Sequence, residues 1–370
     1  MSYGGLIPSI PSKIASNTGL YDLDITSDDK FIYTANIISN DITTYSLNLA
    51  NGLLSLLNLS TPSGLGTSKI KITKNLKFLY TFNFSENTIS QFIRDIVTGN
   101  LTPLIPFKIT LAAVSIRIII SPDSKFIYCL SPVSFNNKIF LYGIDNITGK
   151  LTIISTFPLL SGGANEFLIS NNGKNLYVLD QSNSTIYQFS INKIDGSITP
   201  LSNPYIITTD LYPYNFTISK DDKFLYVINN NYSIIKTYPI NQIDGSIDLT
   251  IQSISTALSP QYILVSPDNK SLYCSTNSAG GNISQYSIAN GILTKLLPNN
   301  VGTDGVITFA MVESSNNKYV YAANYDSNLI SMYGATPYPI VPIFLGNKTL
   351  KSNRLNNFSR PVSVLGKYKS

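Results

Sequence analysis

The chain alternates short apolar runs with clusters of Asn, Asp, Ser and Gly, and no segment sustains the 3.6-residue period of an amphipathic helix. The apolar runs are rich in Ile, Tyr, Phe and Thr, residues that fit the pleated, half-buried surface of a β-strand. The turn residues between them are those that end strands. The pattern therefore predicts an all-β protein made of many short strands.

One signature recurs along nearly the whole chain. A Lys followed by two mostly apolar residues and a Tyr occurs seven times, and successive tyrosines stand 47 to 49 residues apart. The signatures end at Tyr33, Tyr80, Tyr128, Tyr177, Tyr226, Tyr273 and Tyr321. Self-similarity at a fixed period of this length indicates a repeat architecture.

Each repeat contains four strand patterns separated by turn chemistry. An apolar strand leads into a turn such as Ser121-Pro-Asp123, and the signature strand follows. The third strand places an Ile and an aromatic residue three apart, as at Ile89 and Phe92, and the fourth follows a turn glycine such as Gly99. Four antiparallel strands per repeat describe a propeller blade, so the sequence predicts a seven-bladed β-propeller.

The seventh repeat lacks a fourth strand, and the N-terminus supplies a match for it. After Tyr333 the chain reads Gly334-Ala-Thr-Pro, whereas residues 5–11 align with the fourth-strand segment 99–106. We therefore predict one propeller over residues 1–334, in which residues 1–17 include the closing outer strand of blade 7. Such closure leaves no free sheet edge at the junction.

Residues 335–370 fall outside the repeat and form a basic, proline-containing C-terminal tail. They contain six lysines and arginines, no acidic residue, and an apolar run at 340–345. Because the prolines interrupt a strand ladder or a helix, we expect an extended arm. We expect this arm to bind a protein partner or another copy of the chain, and its charge would also attract nucleic acid or an anionic surface.

The composition narrows the possible chemistry. The sequence has no His, no Trp, two cysteines and a net charge of +5. Chemistry that needs imidazole is therefore excluded, and we expect neither a metal nor a cofactor. Cys129 and Cys274 each follow a signature Tyr, a position that indicates small buried core residues.

The N-terminal segment has no basic start followed by an apolar core, and the chain has no apolar run long enough to span a bilayer. We therefore expect no export signal and no transmembrane segment. A cytoplasmic protein, or a component of an assembled particle, agrees with this pattern.

Ligands of propellers usually bind at the mouth of the central channel, which the innermost strands line. In the first six repeats, the residues eight before the signature Lys are Asp22, Lys69, Arg117, Glu166, Asn215 and Tyr262. Four charges of both signs at one equivalent position predict a binding site, with a small anionic ligand as its occupant. The alternative is an ordinary solvated surface, where charges of mixed sign are common.

Glu313 occupies an inner-strand position that is apolar in the other six repeats. An unpaired buried carboxylate is costly. We therefore expect this side chain to face water in the channel, or to pair with Lys69 or Arg117.

The pattern Ser-Pro-Asp-x-Lys-Φ-Φ-Tyr, followed by Asp/Thr-Gly-x-Leu/Ile-Thr-x-Leu, resembles the lactonase-like propeller family with its YVTN-like repeats. That family includes 6-phosphogluconolactonases and muconate-lactonizing propellers, and the resemblance covers residues 4–334. It implies the seven-bladed fold, and it raises lactone hydrolysis as an activity.

The family pattern is substituted where its polar side chains usually stand. Family members typically carry a Pro-Arg-His-like stretch at the inner-strand ends, and Asn-Glu or Asn-Arg at the signature-strand ends. The replacements are Arg117 for His, Ala164-Asn165-Glu166 for Pro-Arg-His, Asp180-Gln181 for Asn-Glu, and Asn229-Asn230 for Asn-Arg. We therefore expect a non-catalytic binding or scaffold module that does not hydrolyse 6-phosphogluconolactone. The alternative is a lactone hydrolase in which Arg117 clamps the anion and Glu166 is the base.

Overall fold

The computed structural model describes residues 3–113, 115–131, 138–159, 163–201, 206–209, 212–277 and 280–337. In these ranges the regular structure is β-strand, arranged as seven separate sheets. No helix in the described ranges is long and apolar enough to cross a membrane. The all-β, seven-bladed architecture predicted from the repeat is confirmed.

The chain begins with β1 (Tyr3–Ala15) and then traces each blade from its innermost to its outermost strand. Blade 1 contains β2 (Leu20–Ile25), β3 (Phe31–Asn36), β4 (Asp41–Leu47) and β5 (Leu54–Pro62). Blade 2 contains β6 (Thr67–Ile72), β7 (Phe78–Asn83), β8 (Thr88–Arg94) and β9 (Leu101–Thr110). Blade 3 contains β10 (Arg117–Ile120), β11 (Phe126–Ser131), β12 (Lys138–Ile144) and β13 (Leu151–Pro158).

Blade 4 contains β14 (Ala164–Ile169), β15 (Asn175–Asp180), β16 (Thr185–Ile191), β17 (Ile198–Pro200) and β18 (Ile206–Thr208). Both β17 and β18 pair with β16, so two short strands share the outer edge of this blade. Blade 5 contains β19 (Pro213–Ile218), β20 (Phe224–Asn229), β21 (Ile234–Pro239) and β22 (Gln252–Ser255). Blade 6 contains β23 (Pro260–Val265), β24 (Ser271–Thr276), β25 (Asn282–Ala289) and β26 (Ile292–Gly302).

Blade 7 consists of β27 (Thr308–Glu313), β28 (Tyr319–Asn324), β29 (Leu329–Pro337) and, as its outermost strand, β1. Leu6 lies opposite Ala335, and Ile14 lies opposite Ile330, in an antiparallel register. The predicted closure by the N-terminal strand is confirmed. The strand β29 runs to Pro337, beyond the boundary predicted at Gly334, and the rest of the predicted arm lies outside the described residues.

A repeated hydrogen bond shows that Leu6 takes the place of an outer-strand residue. The amides of Leu151 and Ile247 each donate to a glutamine side chain of the preceding blade, Gln91 and Gln188, at 2.9 and 2.6 Å. The amide of Leu6 donates in the same way to Gln285 of blade 6. The N-terminal strand therefore attaches to the neighbouring blade as well as to its own.

Seven hydrophobic clusters hold the ring together, one at each blade-to-blade interface of the described chain. The cluster between blades 7 and 1 joins Leu23 to Tyr321 and Met332, so the ring is closed by packing. Cys129 and Cys274 lie buried in two of these clusters as free thiols, as their positions in the repeat predicted.

The signature residues link each blade to the next. The Tyr33 hydroxyl donates to the carbonyl of Gly99 in blade 2 at 2.7 Å, and Tyr80, Tyr128, Tyr177 and Tyr321 make the same bond to the turn glycines of their neighbours. Phe31 packs on Gly99, whose φ is +77°. A Cβ added to Gly99 would lie 2.5 Å from the Phe31 ring. Only glycine suits such a position.

Candidate functional site

The six predicted channel residues lie at equivalent places in the fold. Each is paired with the residue two positions after a signature Tyr, as Asp22 is with Ala35 and Glu166 is with Leu179. In all of these inner strands except β10, a register shift precedes the position. Such bulges redirect side chains. All six side chains line one cavity of about 260 Å³ in the channel.

A second cavity of about 320 Å³, here called the mouth cavity, shares five of these residues and lacks Asp22. Additional polar side chains on its wall come from Asn165, Gln181 and Gln261. A volume of this size accommodates a small organic molecule.

Arg117 and Glu166 form an ion pair across blades 3 and 4. The Nε of Arg117 donates to Oε2 of Glu166 at 3.0 Å, and Nη1 donates to the carbonyl of Ile116 at 3.1 Å. The side chains are 27% and 18% exposed. Among the described residues no group accepts a hydrogen bond from Nη2 of Arg117, which leaves that amino group for a ligand.

Glu166 has further donors around it. Its Oε2 also accepts a hydrogen bond from the side-chain amide of Asn215 at 3.4 Å, and its Oε1 accepts one from the backbone N–H of Phe167 at 3.2 Å. Burial lowers the pKa of Arg117, but the interactions with Glu166, Tyr21 and Asp22 together outweigh burial and raise it. The guanidinium is therefore permanently charged, and the carboxylate is fixed in orientation.

A second ionic group lies across blades 1 and 2. The carboxylate of Asp22, which is 3% exposed, lies 3.8 Å from the ammonium groups of both Lys69 and Lys71. Its Oδ2 accepts the backbone N–H of Ile70 at 3.1 Å. The carboxylate of Asp22 thus forms ion pairs with two lysines.

Burial affects the ionisation of this group. Burial lowers the pKa of Lys69 to about 8, against the attraction of Asp22. For Lys71 burial acts in the same direction, but attraction to Asp22 and Asp24 prevails and raises its pKa. Burial raises the pKa of Asp24 to about 6, although Lys71 opposes the shift. The protonation state of each of these three residues therefore depends on the charges of its neighbours.

One wall of the mouth cavity is aromatic, a feature that the sequence analysis missed. Tyr21 and Phe309 line the cavity with ring centroids 4.7 Å apart, and Tyr325 packs 5.5 Å from Phe309. We call these three residues the aromatic wall. Tyr21 and Phe309 stand nine residues before their signature lysines, at the bulge, and a search at that position as well would have found them.

The positions where family members carry Asn-Glu and Asn-Arg differ in their roles here. Asp180 is fully buried, and its Oδ1 accepts a hydrogen bond from the backbone N–H of Asn183 at 2.8 Å, which stabilises the turn. Gln181 lines the mouth cavity. Asn230 donates to the carbonyl of Pro260 at 2.9 Å. Of these residues, only Gln181 lies on the cavity wall.

The prediction for Glu313 is wrong. Its carboxylate oxygens are buried and have no hydrogen-bond partner among the described residues, and it pairs with neither Lys69 nor Arg117. Burial, reinforced by the negative charge of Asp268, raises its pKa to about 8, and Lys220 only partly opposes the shift. The carboxyl group at the end of β27 is therefore shielded from solvent, and the charges that act on it are those of Asp268 in blade 6 and Lys220 in blade 5.

The described residues contain no group of three or more His, Cys, Asp or Glu that could hold a metal ion.

Seven four-stranded blades around a channel with a ligand-sized, charged mouth define the class of seven-bladed β-propellers. The sequence matches the family described as "Lactonase, 7-bladed beta-propeller" over residues 4–113, 105–208 and 250–337, and the chain belongs to this family. The resemblance seen in the repeat is thus confirmed. No relative was found among curated proteins.

Solved structures share the fold. A putative 6-phosphogluconolactonase from Bacteroides fragilis is 22% identical, with a TM-score of 0.70 and coverage of 84% of this chain and 92% of that one. A periplasmic gluconolactonase from Pseudomonas aeruginosa is 16% identical, with a TM-score of 0.66 and coverage of 85% and 92%. Hydrazine synthase of Kuenenia stuttgartiensis is also 16% identical, with a TM-score of 0.65 and coverage of 88% and 98%. Similarity at this low sequence identity shows only that the fold is shared.

Proposed function

We propose that the protein is a lactone hydrolase whose reaction takes place in the mouth cavity. The observation that carries the proposal is the Arg117–Glu166 pair on the cavity wall, with Nε and Oε2 at 3.0 Å and no hydrogen bond from Nη2 of Arg117 to any described residue. Family membership, and similarity to structures named as gluconolactonases, support this activity more than the non-catalytic module expected from the substitutions.

The proposed reaction needs a base and a stabiliser for the developing oxyanion. The Glu166 carboxylate removes a proton from a water molecule, which attacks the lactone carbonyl carbon. Nη2 of Arg117 donates to the carbonyl oxygen as negative charge develops on it. The tetrahedral intermediate then collapses, the ring C–O bond breaks, and the leaving oxygen takes the proton from Glu166. The product is a hydroxy acid.

The neighbouring groups fit these roles. Asn215 and the Phe167 amide hold the Glu166 carboxylate, and the carbonyl of Ile116 holds Nη1 of Arg117. A preorganised pair of this kind loses little free energy in reorienting during the reaction. The cavity also excludes bulk water from most of the Glu166 side chain, which strengthens the electrostatic interaction.

The test is a pH-stat assay, which records the acid released from glucono-δ-lactone, 6-phosphogluconolactone and dihydrocoumarin. We expect hydrolysis of at least one lactone, and a fall in kcat/KM of about 100-fold or more in Glu166→Gln and Arg117→Lys. Glu86→Gln is the matched control, because Glu86 forms a pair of the same length, 3.0 Å, with Lys108 and lines neither channel cavity. Hydrolysis at the background rate, or equal rates in all variants, would leave a non-catalytic binding module as the function.

A further inference from the structure

The aromatic wall and the Arg117–Glu166 pair lie on different blades around the mouth cavity. Blades 7 and 1 contribute Phe309 and Tyr21 of the aromatic wall, and the cavity wall continues with Phe84 of blade 2. Phe84 is 49% exposed, so an apolar ring is left open to solvent at the cavity. Blades 3 and 4 contribute Arg117, Asn165 and Glu166 on the polar side.

The geometry of the aromatic side suits a flat apolar group. The rings of Tyr21 and Phe309 are tilted by 35° with centroids 4.7 Å apart, and Tyr325 packs behind them with its centroid 6.2 Å from Tyr21. Each of the three rings packs against the other two, so the aromatic wall is preformed. Offset and edge-on contacts with a further ring add favourable energy beyond area burial.

The charges of the mouth balance. Lys69 is matched by Asp22 at 3.8 Å, and Arg117 is matched by Glu166 at 3.0 Å. A phosphate group carries up to two negative charges, and strong binding of it needs cations that are not already neutralised. The channel beneath adds Lys71, whose ammonium group is attracted to Asp24 as well as to the same Asp22, so that three cations face three carboxylates at neutral pH. The mouth therefore offers hydrogen-bond donors without an excess of positive charge.

We infer that the substrate is an uncharged lactone with a planar apolar face, of the aryl-fused or aryl-substituted class, rather than a phosphorylated sugar lactone. The aromatic wall holds the apolar face while the lactone carbonyl points to Arg117 and Glu166. This inference rests on the proposed function, because it assigns the ligand of the same cavity.

The inference is tested by binding, which does not require turnover. Isothermal titration at low salt compares two probes, the aryl lactam 3,4-dihydroquinolin-2-one and the anionic 6-phosphogluconate. We expect the wild-type protein to bind the lactam more tightly than 6-phosphogluconate. Phe309→Leu and Phe84→Ala should weaken lactam binding about five- to tenfold, the effect of losing one aromatic contact.

Tyr232→Ala is the matched control, because Tyr232 is an aromatic residue that is 55% exposed and lines neither channel cavity. It should bind the lactam as the wild type does. Since Phe84 is half exposed, its variant should fold even if the Phe309 variant does not, and a thermal melt of each protein checks this.

The outcomes separate the two proposals. Tighter binding of 6-phosphogluconate, no lactam binding, or an equal response of Phe84→Ala and Tyr232→Ala would overturn the aryl-lactone inference. Preferential hydrolysis of 6-phosphogluconolactone would overturn it as well, while the proposed hydrolase activity would stand. Lactam binding that depends on Phe84, without hydrolysis of any lactone, would support the ligand class and refute the hydrolase.

Discussion

Two tyrosines at the same position of the repeat differ in a single hydrogen bond. The hydroxyl of Tyr128 donates to the carbonyl of Gly196 in the next blade at 2.7 Å. The hydroxyl of Tyr226 is buried and has no hydrogen-bond partner among the described residues. Both rings are fully buried at blade interfaces. The chain thus contains its own control for the contribution of this bond.

We predict that Tyr128→Phe lowers the free energy of unfolding by about 1–2 kcal/mol, because the Gly196 carbonyl loses its donor in a buried place. Tyr226→Phe removes an unsatisfied hydroxyl, and we expect no loss of stability or a small gain. Urea denaturation of the two variants measures both values. Equal destabilisation would show that the interblade bond is not what the signature Tyr contributes.

Glu313 gives a pH dependence whose sign can be worked out. Its pKa is raised from 4.5 to about 8 in the folded protein, mainly by burial. Between these values the folded state binds more protons than the unfolded state, so stability is lost as pH rises through this interval. A carboxyl group of this kind stabilises the fold most when it is protonated.

We therefore predict that Glu313→Gln gains stability relative to the wild type as pH is raised from 5 to 8. The difference should grow by up to about 1.4 kcal/mol per pH unit, the limit for one proton. Denaturation curves at several pH values measure it. For Glu86→Gln, at a partly exposed residue whose wild-type pKa is lowered, no such growth is expected. A constant difference for Glu313→Gln would contradict an unpaired buried carboxyl.

At the level of elements, the strand β1 closes blade 7. Leu6 is 3% exposed and packs in the cluster between blades 6 and 7, whereas Ile10 on the same strand is 93% exposed. Deletion of residues 1–12 removes most of the outer strand and leaves the edge of β29 unpaired. An unpaired edge is both less stable and prone to association.

We predict that the deletion lowers the melting temperature by at least about 5 °C, since a loss of 1 kcal/mol alone corresponds to a few degrees. Leu6→Ser should also lower it, and Ile10→Ser should not. Calorimetry of the three proteins tests the closure. An unchanged melting temperature after the deletion would mean that β1 adds nothing to the ring.

The sequence predicted the elements well because contacts between blades fix the repeated residues. Phe31 and Tyr33 both contact Gly99 of the next blade, so the signature strand and the turn glycine recur together. The pairing of Leu6 was also predictable, because β1 carries the same pattern as the other outer strands. Spacing within one repeat was sufficient for these inferences.

The site was predicted only in part. The positions of Arg117 and Glu166 on the channel followed from the repeat, but their 3.0 Å pairing did not, because it depends on how neighbouring blades face each other. The aromatic wall was missed since a bulge moves its residues one position along the strand. Glu313 was misplaced because the burial of its carboxyl group depends on the packing around the end of β27, which its spacing does not reveal.

At the scale of the whole molecule, the basic segment beyond residue 337 remains a proposed attachment arm. We predict that truncation after Pro337 leaves the propeller folded but abolishes salt-sensitive self-association or binding to an acidic partner, because the six cations are lost. Sedimentation at low and high salt, with a melting curve as the folding control, measures this. Identical sedimentation of both forms at low salt would refute the arm.

The most direct test of the account is a crystal structure of the protein soaked with a hydrolysis-resistant lactam, chosen to match the best substrate of the pH-stat assay. The account predicts density in the mouth cavity, with the lactam carbonyl oxygen at hydrogen-bonding distance, about 3 Å, from Nη2 of Arg117 and the ring beside Glu166. Density elsewhere in the channel or on the outer surface, with the mouth cavity empty, would contradict it.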